Sequence, residues 1–374
     1  MEPEDRGRQH SDKPAETARL SAVTRRSALL GLGAVAGVAA VDVGGFAYTG
    51  GWLRPDALTP ARFADRFEHI YGRHNGFRRN HAKGLSATGT FASNGAGAAI
   101  CRAAVFQQGS VGLIGRFSLA GSLPDQPDKP DAVRGLGLLF QAPQQWRTAM
   151  INLPVFVDAT PHGFYERLLA SKPLPDTGKP DPEKMAAFLN RHPETAAAMK
   201  IIKQSPPRDG FADSAFHGLN AFRCTNSAGA TVPVRWSAVP QKRAPAPASS
   251  SAGSSAGKYY LFDDLIRALA QGPLQWRLML TVGEPGDPTN DATKPWPQSR
   301  RSIDAGTITI SAAQTEEAGN ARDINFDPTV LPDGITASDD PLLAARSAVY
   351  ARSFTRRAEE PKSPSEVNVR KVLS

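Results

Sequence analysis

The segment Arg78-Arg79-Asn80-His81-Ala82-Lys83-Gly84 places a histidine at the entrance of a strand-like run, Gly84–Ser93, rich in Gly, Thr and Phe. An imidazole there can be neutral near physiological pH and can act as a general base. A lone histidine in such a place is more often a satisfied structural group, so the segment needs partners. The nearest is Gly115-Arg116-Phe117-Ser118. Strand alternation puts Arg116 and Ser118 on one face, a cation and a hydroxyl side by side.

Further along, Asp340-Pro341 opens a helix, because Asp caps and Pro suits the first turn. The run 341–357 is dense in Ala, Leu and Arg. Arg346, Tyr350 and Arg357 sit at offsets zero, four and eleven, so they share one helical face. A phenol must ionise to bind ferric iron firmly. A guanidinium one turn away favours that ion by charge and hydrogen bonding. Taken alone, the segment reads more readily as a surface helix with a half-buried tyrosine and solvated arginines.

The segments between set the fold class. Pro60–Tyr71 has helical spacing, with Phe63, Phe67 and Ile70 on one face. Residues 111–119, 135–140 and 150–157 read as strands bounded by Gly, Pro and Asp clusters, 185–203 as one helix, and 221–224 with 232–238 as a hairpin. A helix over 259–271 and strands at 278–282 and 306–312 follow. The Pro/Ala then Ser/Gly tract 244–257 reads as a flexible insertion, and 362–374 as a disordered tail after a domain spanning 51–360. Strands in the middle flanked by helices predict an α+β fold around an antiparallel barrel or sheet.

The chain has 374 residues, 40% hydrophobic and 21% charged, neither collagenous nor disordered in composition. Its formal charge of +8 is spread out, with no block of like charge to suggest a nucleic-acid partner. Cys101 and Cys224 form neither a metal-ligand pattern nor a disulfide framework. Two buried thiols, or one bridge in an oxidising compartment, are both open. Residues 1–50 read as a leader: Arg25-Arg26 precede a modest apolar run, resembling a twin-arginine export signal. Export to the periplasm is expected, with the run either removed or kept as a membrane anchor.

Together these segments resemble the catalase superfamily. Its R-x-x-H-A-K-G motif is similar to Arg78, His81, Ala82, Lys83 and Gly84, and its R-F-S motif to Arg116-Phe117-Ser118. A D-x-R-G-like segment lies at Asp131–Gly135, P-x-F at Pro154-Val155-Phe156, W-P at Trp296-Pro297 and F-D-P at Phe326-Asp327-Pro328. P-x-G-I follows at Pro332-Asp333-Gly334-Ile335 and R-x-x-x-Y at Arg346 and Tyr350, all in the family's order over 57–357. The resemblance implies a catalase-like antiparallel β-barrel with surrounding helices and haem b between barrel and proximal helix. It implies that His81 is the distal acid–base, that Ser118 bonds its ring, and that Tyr350 is the axial iron ligand with Arg346 beside it. Arg78, Arg116 and Arg357 match propionate-binding arginines, and Phe156 matches an apolar distal-wall residue.

Two departures set the expected subtype. Where the family's true catalases place an asparagine three residues before the proline of N-x-x-P, this chain has Ile151; Asn152 is one residue late and should face the other way unless a bulge corrects it. Only 24 residues follow Tyr350, so the large C-terminal helical region is expected to be missing. The chain therefore resembles the small catalase-related peroxidase branch, as a monomer or homodimer. The expectation is reduction of hydrogen peroxide or organic hydroperoxides by a small organic reductant, with weak catalase activity. A true catalase and a non-catalytic haem-binding protein are the alternatives.

Overall fold

The computed structural model describes residues 58–205, 210–241 and 257–374. The leader expected over 1–50 and nearly all of the insertion expected over 244–257 lie outside them. Helix α1 (Pro60–Tyr71) starts where Thr59 accepts the amide hydrogen of Arg62 and Pro60 fills the first turn. It stops at Gly72, whose φ of 83° a side chain would disfavour. Strands β1 (Gly84–Ser93), β2 (Gly109–Leu119), β3 (Arg134–Phe140) and β4 (Trp146–Ile151) then form an antiparallel meander. Helices α2 (Pro161–Ala170), α3 (Pro182–Arg191) and α4 (Pro193–Gln204) interrupt the sheet. It resumes as β5 (Phe216–His217), β6 (Phe222–Thr225) and β7 (Thr231–Pro240). Helix α5 (Tyr260–Gln271) leads into β8 (Leu274–Val282), β9 (Ser302–Gln314) and β10 (Ile335–Ala337). The chain finishes with α6 (Pro341–Ala358) and the short α7 (Val369–Leu373).

The sheet closes on itself. Its order runs β7-β5-β4-β3-β2-β1-β9-β8, and β8 pairs back with β7, making an antiparallel barrel of eight strands. β5 and β6 share one edge of β7: His217 faces Ser237, while Phe222 faces Val234, and β10 extends the sheet beyond β6. Closure leaves no long free edge. The expected α+β barrel with surrounding helices is therefore observed.

The interior is aromatic. Phe140 stacks on Trp146 at 4.4 Å, Trp146 meets Trp236 edge-on at 5.0 Å, and Phe117 contacts Phe211, Phe216 and Trp276. Strand alternation sends Phe117 and Leu119 inward and turns Arg116 and Ser118 out towards the helices. That outer face of β2–β4, covered by α1, α2 and α6, carries the site.

Three expectations need correction. The strand expected over 150–157 is Trp146–Ile151, because Pro154 cannot donate to a ladder and the chain leaves the sheet after Ile151. The single helix expected over 185–203 is two, broken at His192-Pro193. Proline disfavours helical backbone in the residue before it, and His192 adopts φ −124°, ψ 69°. Residues 361–374, expected to be a disordered tail, pack back over the barrel: Val367 is 2% exposed, Val369 donates its amide to Thr315, and Lys362 pairs with Asp323. Cys101 and Cys224 are both buried and unbridged.

Candidate active site

His81 is one of two non-glycine residues with positive φ among the described residues, at 55°. This sparsely populated conformation is held from both sides. The Asn80 carboxamide oxygen accepts the amides of His81 (3.0 Å) and Gly121 (2.9 Å). Arg116 donates to the carbonyls of His81 (2.9 Å) and Ala82 (3.1 Å). The imidazole is fixed by Nδ1 lying 3.0 Å from the Ser118 hydroxyl, which turns Nε2 to the cavity. Gly135 makes room for the ring: a Cβ there would stand 2.7 Å from Ser118 Oγ and 3.1 Å from the imidazole. Burial first, then the charges of Arg116, Arg78 and Arg346, push the His81 pKa down to about 3. The ring is thus neutral and ready to accept a proton.

Across a cavity of about 530 Å³ stands Tyr350 of α6. Arg346 reaches its phenol oxygen at 3.3 Å and also donates to the Ala149 carbonyl and to Asn220 Oδ1. Asn220 in turn donates to Asp340 at 2.7 Å, the same carboxylate that caps α6 by accepting the amide of Leu342. The helix cap and the orientation of Arg346 are therefore one network.

The three remaining arginines gather at one end. Arg78, Arg116 and Arg357 all line the cavity; Arg116 disfavours the charge of both others, and Arg357 that of Arg78. Burial first and Arg116 next push Arg357 down to about 10, and its buried Nε has no hydrogen-bond partner. Arg78 donates to the carbonyls of Ala321 and Ile324, and burial first, then Arg357 and Arg116, hold its pKa well below the usual guanidinium range. Arg116 differs from a simple anion clamp. Its fork is taken by buried Glu316, at 2.6 and 3.0 Å, besides the two carbonyls of the His81 segment. Asp323 and Glu316 act on Arg357 against Arg116 and Arg79, and with Arg78 beside them the guanidiniums outnumber the carboxylates at this end. A flat, largely apolar group carrying two carboxylates fits: its anions would meet Arg357 and Arg78, and its faces would lie towards His81 and Tyr350. Haem has that chemistry.

All the residues singled out in the sequence, His81, Ser118, Arg78, Arg116, Phe156, Arg346, Tyr350 and Arg357, line this one cavity. Ile151 lines it too, packed near Phe156 in an apolar cluster with Leu219 and Leu342. Asn152 does not reach it: no bulge intervenes between β3 and β4, and its side chain accepts the Arg134 amide at 2.8 Å. Sequence reasoning missed Asn80, Asn220 and Glu316. None sits in a periodic pattern; Asn80 holds the adjacent His81 amide and the distant Gly121 amide, and Asn220 and Glu316 act only across long stretches of chain.

A family model described as Catalase matches residues 55–369. A catalase-related peroxidase of Synechococcus elongatus is 38% identical over 335 residues, covering 88% of this chain and 95% of its own. Another from Mycolicibacterium paratuberculosis is 31% identical over 305 residues, covering 80% and 95%. Among solved structures, catalase A from Saccharomyces cerevisiae superposes with a TM-score of 0.67 at 21% identity, and a bacterial catalase with 0.64 at 23%. The chain covers 65% and 61% of those two, so it spans under two thirds of their length, and the likeness is one of fold.

Proposed function

The chain belongs to the catalase family, and from that premise we propose that it is a haem-dependent peroxidase using an organic electron donor, with weak catalase activity. The observation that carries this reading is a single cavity with His81 on one side, Tyr350 and Arg346 on the other, and apolar Ile151 where a second polar donor would be needed. Haem b, when bound, would supply the iron at which the O–O bond is cleaved and would hold the oxidising equivalents. Tyr350 would hold the iron, and Arg78 and Arg357 would take the propionates, with Arg116 contributing its remaining hydrogen.

The protein's own part is proton traffic and positioning. His81 Nε2 takes the proton from the near peroxide oxygen and returns it to the departing one, which leaves as water or an alcohol. Ser118 holds Nδ1, so the ring neither turns nor needs to be recharged between the two transfers. Two electrons and two protons from two molecules of a one-electron donor then complete the reduction of one peroxide.

Dismutation makes a further demand: a second hydrogen peroxide must be held in orientation. The Ile151 and Phe156 side chains offer no hydrogen bond for the water such a molecule gives up, whereas bulkier peroxides and aromatic donors gain from the same apolar walls. The expected result is slow oxygen release from hydrogen peroxide alone and clear donor oxidation with either hydrogen peroxide or an alkyl hydroperoxide. Ile151→Asn should raise oxygen release about tenfold or more, the scale of one hydrogen bond near a reacting centre. Fast donor-independent oxygen release by the parent, followed on an oxygen electrode, would turn the assignment to a true catalase. A non-catalytic haem carrier has no use for a buried neutral histidine braced by a serine, and would show neither activity.

We also propose export. The Arg25-Arg26 pair precedes an apolar run, and a route that reads paired guanidiniums should not accept ammonium groups in their place. Arg25→Lys with Arg26→Lys should leave the protein in the cytoplasmic fraction; undiminished export of that variant would point to another route.

A further inference from the structure

We propose that Arg167, with Tyr71, forms an anion subsite at the helical end of the cavity, and that it selects an electron donor carrying a carboxylate on an aromatic body. The proposal rests on the peroxidase reading and goes beyond it by naming the donor's chemistry.

The cavity extends from the barrel wall between α1 and α2, where its lining turns aromatic. Phe67 and Phe164 lie 6.3 Å apart, Phe67 and Tyr71 stack at 6.5 Å, and Phe156 and Phe164 are near-parallel at 6.1 Å. These rings make a wall suited to a flat apolar molecule. Set into it is one cation. Arg167 lies over the Phe164 ring at 5.2 Å and is held there through Nε, which donates to Asp158 at 2.8 and 3.0 Å. Asp158 is 0% exposed, also accepts from Thr195 of α4, and is not among the residues that line the cavity.

This anchoring uses only the inner nitrogen of a planar fork. The two terminal nitrogens of Arg167 donate to no protein group among the described residues, yet the side chain lines the cavity and is partly exposed. A structural arginine held only to neutralise Asp158 would not need to present its fork to open space. Tyr71 stands within the field of Arg167. Burial raises its phenol pKa against the pull of that charge, so its hydroxyl keeps its proton and can donate. Arg78 and Arg357 are the groups proposed above to meet the haem carboxylates, so this subsite would address a different molecule.

A carboxylate here would take charge-assisted bonds from Arg167 and a bond from Tyr71 while its ring lies against Phe67 and Phe164. The test compares a phenol bearing a carboxylate side chain with its methyl ester. Binding is measured by calorimetry on the haem-loaded protein without peroxide, and turnover is measured with hydrogen peroxide. The acid should bind more tightly than the ester by about tenfold or more, with the same preference in KM. Arg167→Lys keeps a cation for Asp158 but withdraws the fork, and Tyr71→Phe removes the hydroxyl alone. Both should fold by circular dichroism and both should cut the acid-to-ester ratio, the lysine variant to near one. Equal binding of acid and ester by the parent, or an undiminished ratio in the folded lysine variant, would overturn the subsite. A preference seen only between carboxylated and neutral hydroperoxides would assign it to the oxidant and overturn the assignment to the donor. Tight acid binding without oxidation of either phenol would support the subsite while sinking the peroxidase reading.

Discussion

Tyr350→Phe should leave the purified protein almost free of haem while the barrel remains folded. The substitution removes one oxygen and keeps the ring in its place on α6, so packing is nearly unchanged. What is lost is the one phenol oxygen that faces His81 across the cavity within reach of Arg346. Changes to groups that merely support a metal ligand typically cost 10–100-fold in affinity, and deleting the ligand itself should cost more than about 100-fold. The Soret absorbance per mole of protein reads haem content, and far-ultraviolet circular dichroism reads the fold. An unchanged Soret band would remove Tyr350 from the axial position and with it the meaning of the Asp340–Asn220–Arg346 network.

His81→Ala should keep haem bound and slow the reaction with peroxide by about 10²–10⁴-fold, the range for losing a positioned acid–base group. Stopped-flow spectra give the rate directly, and a value within threefold of the parent would mean that another group moves the proton. The parent's pH profile adds a second check. The unfolded chain's histidine titrates near 6.5, whereas His81 in the fold titrates at about 3, chiefly through burial. The peroxide rate should therefore hold from neutral pH to about pH 4 and fall as pH approaches 3. Stability runs the other way round the same shift. Above pH 6.5 neither state binds the proton, and this group costs nothing. As pH falls from 6.5 towards 3, the unfolded chain gains a proton that the fold refuses, so stability is lost through that window.

The site was legible in the sequence wherever a residue acts through its neighbours along the chain. Arg346 and Tyr350 are one helical turn apart, Arg116 and Ser118 alternate on one strand, and His81 sits in a contiguous motif, so local pattern together with the family resemblance pointed to residues that share one cavity. Ile151 and Asn152 were separated by strand parity, and the unbulged pairing of β3 with β4 preserves it. Long-range partners were not legible. Glu316 reaches Arg116 from 200 positions away and Asn220 reaches Arg346 from 126; neither pairing leaves a local pattern. The tail was misread for the same reason. A polar segment with few apolar residues looks frayed, yet Val367 finds a place in the core and Glu360 finds Arg79. The fused helix of 185–203 shows the opposite failure, in which composition outweighed the one residue, Pro193, that breaks it.

The placement of that closing segment also bears on the order in which the molecule can be made. Arg79, two residues before His81, is clasped by Glu360 at 2.6 and 3.0 Å, and the amide of Gly76 donates to the same carboxylate. Val369 bonds Thr315, the neighbour of the Glu316 that secures Arg116 and, through it, the His81 backbone. Chains emerge from the ribosome amino end first, at about 5–20 residues per second. His81 and the Asn80, Arg116 and Ser118 groups that hold it are synthesised early, but Glu316 and Glu360, which secure Arg116 and Arg79, follow only later. The nascent barrel must therefore wait for its last strands and α6 before these arginines are set. Haem arriving before residue 350 has emerged would meet a pocket lacking Tyr350, so the complete site forms late in synthesis.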